Sequence, residues 1–156
     1  MLLGKGNGKF KPMKNFTANS GITAVQIADI NRDGKLDLIA ASYDYGGLLS
    51  PANPLSVLLG NGRGDFQPKI DYPIDGRFGL QLGDLNRDGW LDAVAVGSGG
   101  ASVLLSDRNN GFLAQDNYGV GNGVNSLQLG DINHDGKLDI VAVNYESSSV
   151  SVLLGN

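Results

Sequence analysis

Cysteine is absent from the 156 residues and histidine occurs once, as His134. Disulfides and thiolate metal sites are therefore excluded, and zinc has no ligand set. Aromatic residues make up only 7% of the chain. No apolar run approaches the roughly 18 residues that a membrane helix needs, so membrane insertion is not expected. At Met1 there is no charged region followed by an apolar one, so no signal peptide is read there. Positive charge is also short: 12 Lys plus Arg stand against 16 Asp plus Glu, for a net charge of −4. The basic residues are scattered, and nucleic acid is not an expected partner.

Glycine is plentiful, at 24 residues. It supplies the positive φ that tight turns require, so many short elements joined by turns are expected. The glycines follow no triplet period, and apolar strings such as "LDLIAAS" recur, which excludes collagen and a disordered linker. The length suits one domain.

The acid is concentrated. "DINRDGKLD" at 29–37, "DLNRDGWLD" at 84–92 and "DINHDGKLD" at 131–139 hold nine of the 16 acidic residues. The chain also repeats outside these strings. "MLLGKGNGKF", "VLLGNGRGDF", "VLLSDRNNGF" and the terminal "VLLGN" share a register, at offsets of 56, 46 and 49 residues. The periods are 1–56, 57–102 and 103–151, and residues 152–156 restate the start.

Each period holds four strand-like runs. The first alternates ahead of the acidic string, with Val25 and Ile27, Leu80 and Leu82, and Leu127 and Leu129 flanking Gln26, Gln81 and Gln128. The second, "LDLIAAS", "LDAVAVG" and "LDIVAVN", is apolar on both faces, as in a strand covered on each side. The third is "LSVLLG", "ASVLLS" and "VSVLLG". The fourth carries the pairs Phe10/Phe16, Phe66/Tyr72 and Phe112/Tyr118, and Pro12 and Pro68 place it at a sheet edge. Four antiparallel strands in a repeat of this length predict β-propeller blades, so the expected fold is all-β with three blades.

In the nonapeptide, side-chain oxygens stand at positions 1, 3, 5 and 9, and the glycine at position 6 permits the sharp turn that aims them together. The expected side-chain ligands are Asp29, Asn31, Asp33 and Asp37, with the Lys35 carbonyl; Asp84, Asn86, Asp88 and Asp92, with the Trp90 carbonyl; and Asp131, Asn133, Asp135 and Asp139, with the Lys137 carbonyl. So many oxygens suit Ca²⁺ better than Mg²⁺, which keeps waters in a near-octahedral shell. Position 12 is Ala40, Ala95 or Ala142, where an EF-hand needs a bidentate Glu, and no helical stripe flanks the loops. Three structural Ca²⁺ sites of strand-loop-strand type are expected. Asp-Asn-Asp-Gly strings also occur as solvated turns, and the retention of all four oxygen positions in three copies weighs against that reading.

"LQLGDINHDGKLDIVAVNYESSSVSVLLGN" resembles the FG-GAP or VCBS-type repeats of bacterial extracellular proteins, which are related to the propeller repeats of integrin α subunits. The resemblance covers nearly the whole chain. It implies a calcium-bearing propeller, exposed outside the cell or on its surface. Only Phe78-Gly79 matches the Phe-Gly signature, so integrin ligand chemistry is not implied. Three blades are too few for a closed ring, which takes about four to eight. Either the chain is a piece of a longer propeller or copies close the ring together. The expected arrangement is the second, a half or partial propeller closed by oligomerisation as a homodimer of six blades, with the segment Phe10 to Phe16 of one copy completing the last blade of the other.

Other positions invite less. His134 stands at loop position 4, where the other copies have Arg32 and Arg87, and is read as facing solvent. The three glutamines are read as inter-blade hydrogen bonders, the aromatic pairs as blade packing, and Trp90 as open to sugar stacking. The long segment 42–56 of the first blade is the first place to look for a partner. No nucleophile with a base and no phosphate-cradling loop is evident, so no enzyme is expected. The sequence points to a calcium-stabilised, non-catalytic module for protein or glycan binding or display. Its alternatives are an accessory segment of a larger secreted enzyme or adhesin, and a self-assembling fragment without ligand.

Overall fold

The computed structural model describes residues 1–43, 54–74 and 76–156. Among them every regular element is a strand: β1 (Ile22–Ala28), β2 (Asp37–Ser42), β3 (Pro54–Leu58), β4 (Ile70–Pro73), β5 (Gly79–Gly83), β6 (Asp92–Gly97), β7 (Gly100–Leu104), β8 (Asp116–Tyr118), β9 (Val124–Gly130), β10 (Asp139–Asn144) and β11 (Ser149–Leu153). They form three antiparallel sheets in chain order, β1-β2-β3-β4, β5-β6-β7-β8 and β9-β10-β11. These are three blades of a propeller, as the repeat and its strand pattern predict. Each sheet joins one sequence period to the opening of the next.

The blades stack face to face because each strand is apolar on the sides its neighbours cover. All six residues of β6, in the middle blade, are buried. One core lies between the first two blades, where Ile39, Ala41, Leu55 and Val57 meet Leu80, Ala93, Leu104 and Phe112. A second joins Val94, Val96 and Ala101 to Leu127, Ile140 and Ala142 of the third blade. The innermost strands β1, β5 and β9 follow one another around the arc, and Gln26 on β1 donates to the Leu80 carbonyl of the next blade at 2.8 Å.

The fourth strand is an edge, as the prolines predict, but it is shorter than the sequence suggests. It starts after Pro68, at Ile70, and Phe66 and Phe112 lie ahead of it in single bridges to Gly60 and Ser106. The aromatic pairs therefore work between blades. Phe16 packs edge-on to Phe66 with ring centroids 5.0 Å apart, and Tyr72 meets Phe112 in the same way at 5.7 Å. Four of the six rings therefore pack as read, whereas Phe10 and Tyr118 are 57% and 46% exposed. Of the long segment 42–56, residues 44–53 lie outside the described residues.

Candidate metal centre

The three acidic strings form turns at one end of the blades, each linking the innermost strand to the second. Their hydrogen bonding repeats atom for atom. In the first loop, the Asp29 carboxylate accepts the amides of Asp33 at 3.1 Å and Gly34 at 2.8 Å. Asn31 Oδ1 also accepts the Asp33 amide, at 3.1 Å, and Asp33 Oδ1 accepts the Lys35 amide at 2.9 Å. Asp84, Asn86 and Asp88 repeat this set with Asp88, Gly89 and Trp90 as amide donors, at 2.8 to 3.0 Å. Asp131, Asn133 and Asp135 repeat it again, at 2.8 to 3.1 Å. Gly34, Gly89 and Gly136 carry φ of +80°, +85° and +82°, the conformation for which position 6 is glycine.

Positions 1, 3 and 5 are thus held by the loop's own backbone. Position 9 is used differently. Asp37, Asp92 and Asp139 are wholly buried. Each accepts one amide on each carboxylate oxygen: Asp37 from Ile30 at 3.1 Å and Gly60 at 2.8 Å, Asp92 from Leu85 at 2.9 Å and Ser106 at 2.8 Å, and Asp139 from Ile132 and Gly155, both at 2.8 Å. The residue tethers loop position 2 to the end of the third strand. It stops the blade from opening, a role the spacing alone does not signal.

The charges around the loops follow this division. A hydrogen bond from the Lys35 ammonium holds the Asp33 carboxyl below the ordinary carboxylate range. The Trp90 amide does so first at Asp88, helped by Arg108, whose Nε lies 2.9 Å from Oδ2. The Lys137 amide lowers Asp135. Burial pushes the carboxyls of Asp37 and Asp92 up. Asp139 goes down instead, because the Gly155 and Ile132 amides outweigh burial in a blade that has three strands among the described residues.

All the donors are hard oxygens, which fits a hard cation and no softer one. A carboxylate has about four lone-pair sites, so oxygens that each accept one or two amides keep capacity for an ion. Among the described residues no three acidic or imidazole groups close on a common point. Position 9 faces the sheet, and Lys35, Arg108 and Lys137 draw the position-5 carboxylates toward themselves.

Loop position 4 is exposed in all three copies, as the sequence reading has it, and two of its side chains also reach the next loop. Arg32, Arg87 and His134 all have φ of +59°, which points the two arginines along the arc. Arg87 donates from Nε to the Gly136 carbonyl at 3.0 Å and from Nη2 to the Asp135 carbonyl at 3.1 Å. Arg32 lies over the Trp90 ring, 4.7 Å from its centroid, so that ring already has a partner. Each loop is tied to the next by the arginine at its fourth place. His134 is exposed.

The FG-GAP-like repeat model matches residues 1–40 and 84–142, more than half of the chain, and these stretches hold all three acidic loops. The chain belongs to the FG-GAP-like repeat family. No curated protein matches it. Among solved structures it is similar to an Agrocybe aegerita lectin described for specific recognition of non-reducing terminal N-acetylglucosamine, with 17% identity and a TM-score of 0.49 over 99% of this chain and 57% of that one. The FG-GAP-like chain therefore spans a little over half the length of that lectin.

Proposed function

We propose that this FG-GAP-like chain is a non-catalytic binding or display module whose blades are each stapled by Ca²⁺. The observation that carries the reading is the threefold repetition of one hydrogen-bonded loop in which carboxylate and amide oxygens alternate with backbone amides. Asp29, Asn31, Asp33 and the Lys35 carbonyl would hold the first ion, with Asp37 closing the set through the lone pairs that its two amide bonds leave free. Asp84, Asn86, Asp88, Trp90 and Asp92, then Asp131, Asn133, Asp135, Lys137 and Asp139, would hold the others. A bound Ca²⁺ would supply charge compensation for the three carboxylates of each loop, and three ions would move the formal charge from −4 to +2.

The chain's own residues do the rest. The loop amides fix positions 1, 3 and 5, and the position-5 side chain has to turn from its Lys or Arg partner toward the ion. Exposed extracellular modules of this kind work at calcium affinities on the order of 10⁻⁴ to 10⁻³ M, which suits display outside the cell. As a ring, the module would consist of two copies with six blades.

Thermal melting in 5 mM Ca²⁺, 5 mM Mg²⁺ and chelator tests the metal. A midpoint raised by Ca²⁺ alone, with calorimetry returning three sites, is the expected result. A midpoint indifferent to chelator overturns the calcium assignment.

A further inference from the structure

In the first two blades a fourth strand covers the third. Val57, Ser56 and Leu55 stand opposite Ile70, Asp71 and Tyr72, and Val103, Ser102 and Ala101 opposite Asp116, Asn117 and Tyr118. Among the described residues β11 pairs with β10 alone. Val150, Val152 and Leu154 are 59%, 49% and 56% exposed, whereas their counterparts Leu55, Val57 and Leu59 are 0%, 0% and 7% exposed. A bare apolar edge of this kind is a template for another strand. It is already set in register, since Asp139 holds the Gly155 amide as Asp37 holds that of Gly60.

The segment with the matching pattern is at the far end of the arc. The bridge Gly4 to Phe10 repeats Gly60 to Phe66 and Ser106 to Phe112. Lys11 donates to the Leu3 carbonyl at 2.7 Å, as Gln67 does to Leu59 and Leu113 to Leu105, both at 2.8 Å. Residues 10–16 therefore run where an outer strand lies in the other periods, hydrogen-bonded through Lys11 and Lys14 to Leu3 and Met1, and Met1–Gly4 is the sequence counterpart of Val152–Gly155. They pack on the first blade through Phe16 and an ion pair from Lys14 to Asp65 at 2.6 Å, and so cannot reach β11 of their own chain.

We propose that residues 10–16 of a second copy add to β11 as its fourth strand, and reciprocally, with Lys14 opposite Val152, Asn15 opposite Ser151 and Phe16 opposite Val150. The proposal rests on the two-copy ring above and locates its joint. Three observations converge on that register. Ser56 donates to Asp71 at 2.8 Å and Ser102 to Asn117 at 2.7 Å. Ser151 accepts from Asn144 at 2.8 Å and from the Gly121 amide at 3.0 Å, leaving its proton to donate to Asn15.

Next, a cavity of about 370 Å³ between the second and third blades is lined by Val103, Leu105, Tyr118, Ile140, Leu153 and Leu154 among others. The same place between the first two blades holds Phe112, which is 5% exposed, and the incoming counterpart is Phe10, 57% exposed in its own chain. Third, Tyr118 is the counterpart of Tyr72, which meets Phe112, so it would meet Phe10. There the fit is looser. The Tyr72 hydroxyl lies against Gly111, whereas Tyr118 would face Lys9, and its hydroxyl has to turn outward. Docking also requires Met1–Gly4 to release residues 10–14, because Val152–Gly155 takes the same hydrogen bonds.

With no native cysteine, the chain carrying Asn15→Cys and Ser151→Cys tests the register. Directly opposed positions fall within the Cα separation of roughly 4.4 to 6.8 Å that a disulfide accepts, whereas Asn15→Cys with Ser149→Cys is a diagonal pair at about 7 to 8 Å. The expected result is a reducible covalent dimer from the first pair and little from the second. In sedimentation, Phe10→Ala should raise the dimer dissociation constant at least about 30-fold, and Tyr118→Phe should lower it. A dimer mass with no cross-link, or with equal cross-linking of both pairs, would keep a two-copy assembly and overturn this joint. A monomer mass at micromolar concentration overturns both.

Discussion

Asp92 carries more of the blade than its place in a charged loop suggests. It is buried, and each carboxylate oxygen accepts a backbone amide. Asp92→Asn keeps the shape but turns an NH₂ toward one of those amides, leaving a buried donor unpaired. The expected cost is about 2 kcal/mol, read as a lower urea midpoint with unchanged slope. Gly111 is a second such position, for the space it leaves: a Cβ there would lie 1.7 Å from the Tyr72 hydroxyl. Where the partner ring is Phe16, the matching position holds Asp65. Gly111→Ala should cost about 1 to 3 kcal/mol by displacing Tyr72 from Phe112, and adding Tyr72→Phe should recover part of the loss in the same urea assay.

Asp71 sets a pH dependence. Burial raises its carboxyl, but hydrogen bonds from Lys69, Ser56 and Asn19 outweigh it and the pKa falls below its ordinary value. Its stabilisation is then present above the unfolded value of about 3.9 and lost as pH falls through the lower folded value. Asp37 and Asp92 act with the opposite sign, since burial raises their carboxyls and favours the fold in acid. Parent and Asp71→Asn should therefore be compared as a difference, with calcium held constant. The stability gap between them should shrink as pH falls below about 4.

Among the elements, the middle strands were the most legible, because a strand covered on both faces is apolar at every position and nothing else explains "LDAVAV". Glycine and the Asx residues likewise wrote the loops into the sequence, through local hydrogen bonding that needs no distant partner. The outer strand was legible in kind but not in length: the bridges at Phe66 and Phe112 precede it, and only tertiary packing shows that the rings span blades. The arginine ties between loops are not legible in the sequence: these side chains are exposed as read, and the carbonyls and the ring they meet lie on a loop about 50 positions away. Arg87→Ala removes two charged hydrogen bonds to carbonyls of the third loop. About 1 kcal/mol should be lost, and amide exchange in residues 131–139 should quicken while that in 29–37 stays unchanged.

The described blades form an arc, and its two outward faces carry exposed apolar side chains. One face shows Ile22, Val25 and Ile27, and the other Val143, Val150 and Val152, all more than 40% exposed. If each blade carries its ion, calcium at 100 times its dissociation constant adds about 2.7 kcal/mol per site. At roughly 2 to 4 °C per kcal/mol for a chain of this size, chelation should lower the thermal midpoint by on the order of 15 °C or more. A scanning calorimeter reads this directly.

Strand pattern, repeat and loop chemistry were decided within single periods of the chain, because alternation, turn formation and oxygen spacing depend on residues a few places apart. The tertiary structure alone decided which oxygens are committed to the sheet, which rings and arginines join one blade to the next, and which edge lies bare. Those are contacts between residues tens of positions apart, and stacking the repeats brings them together.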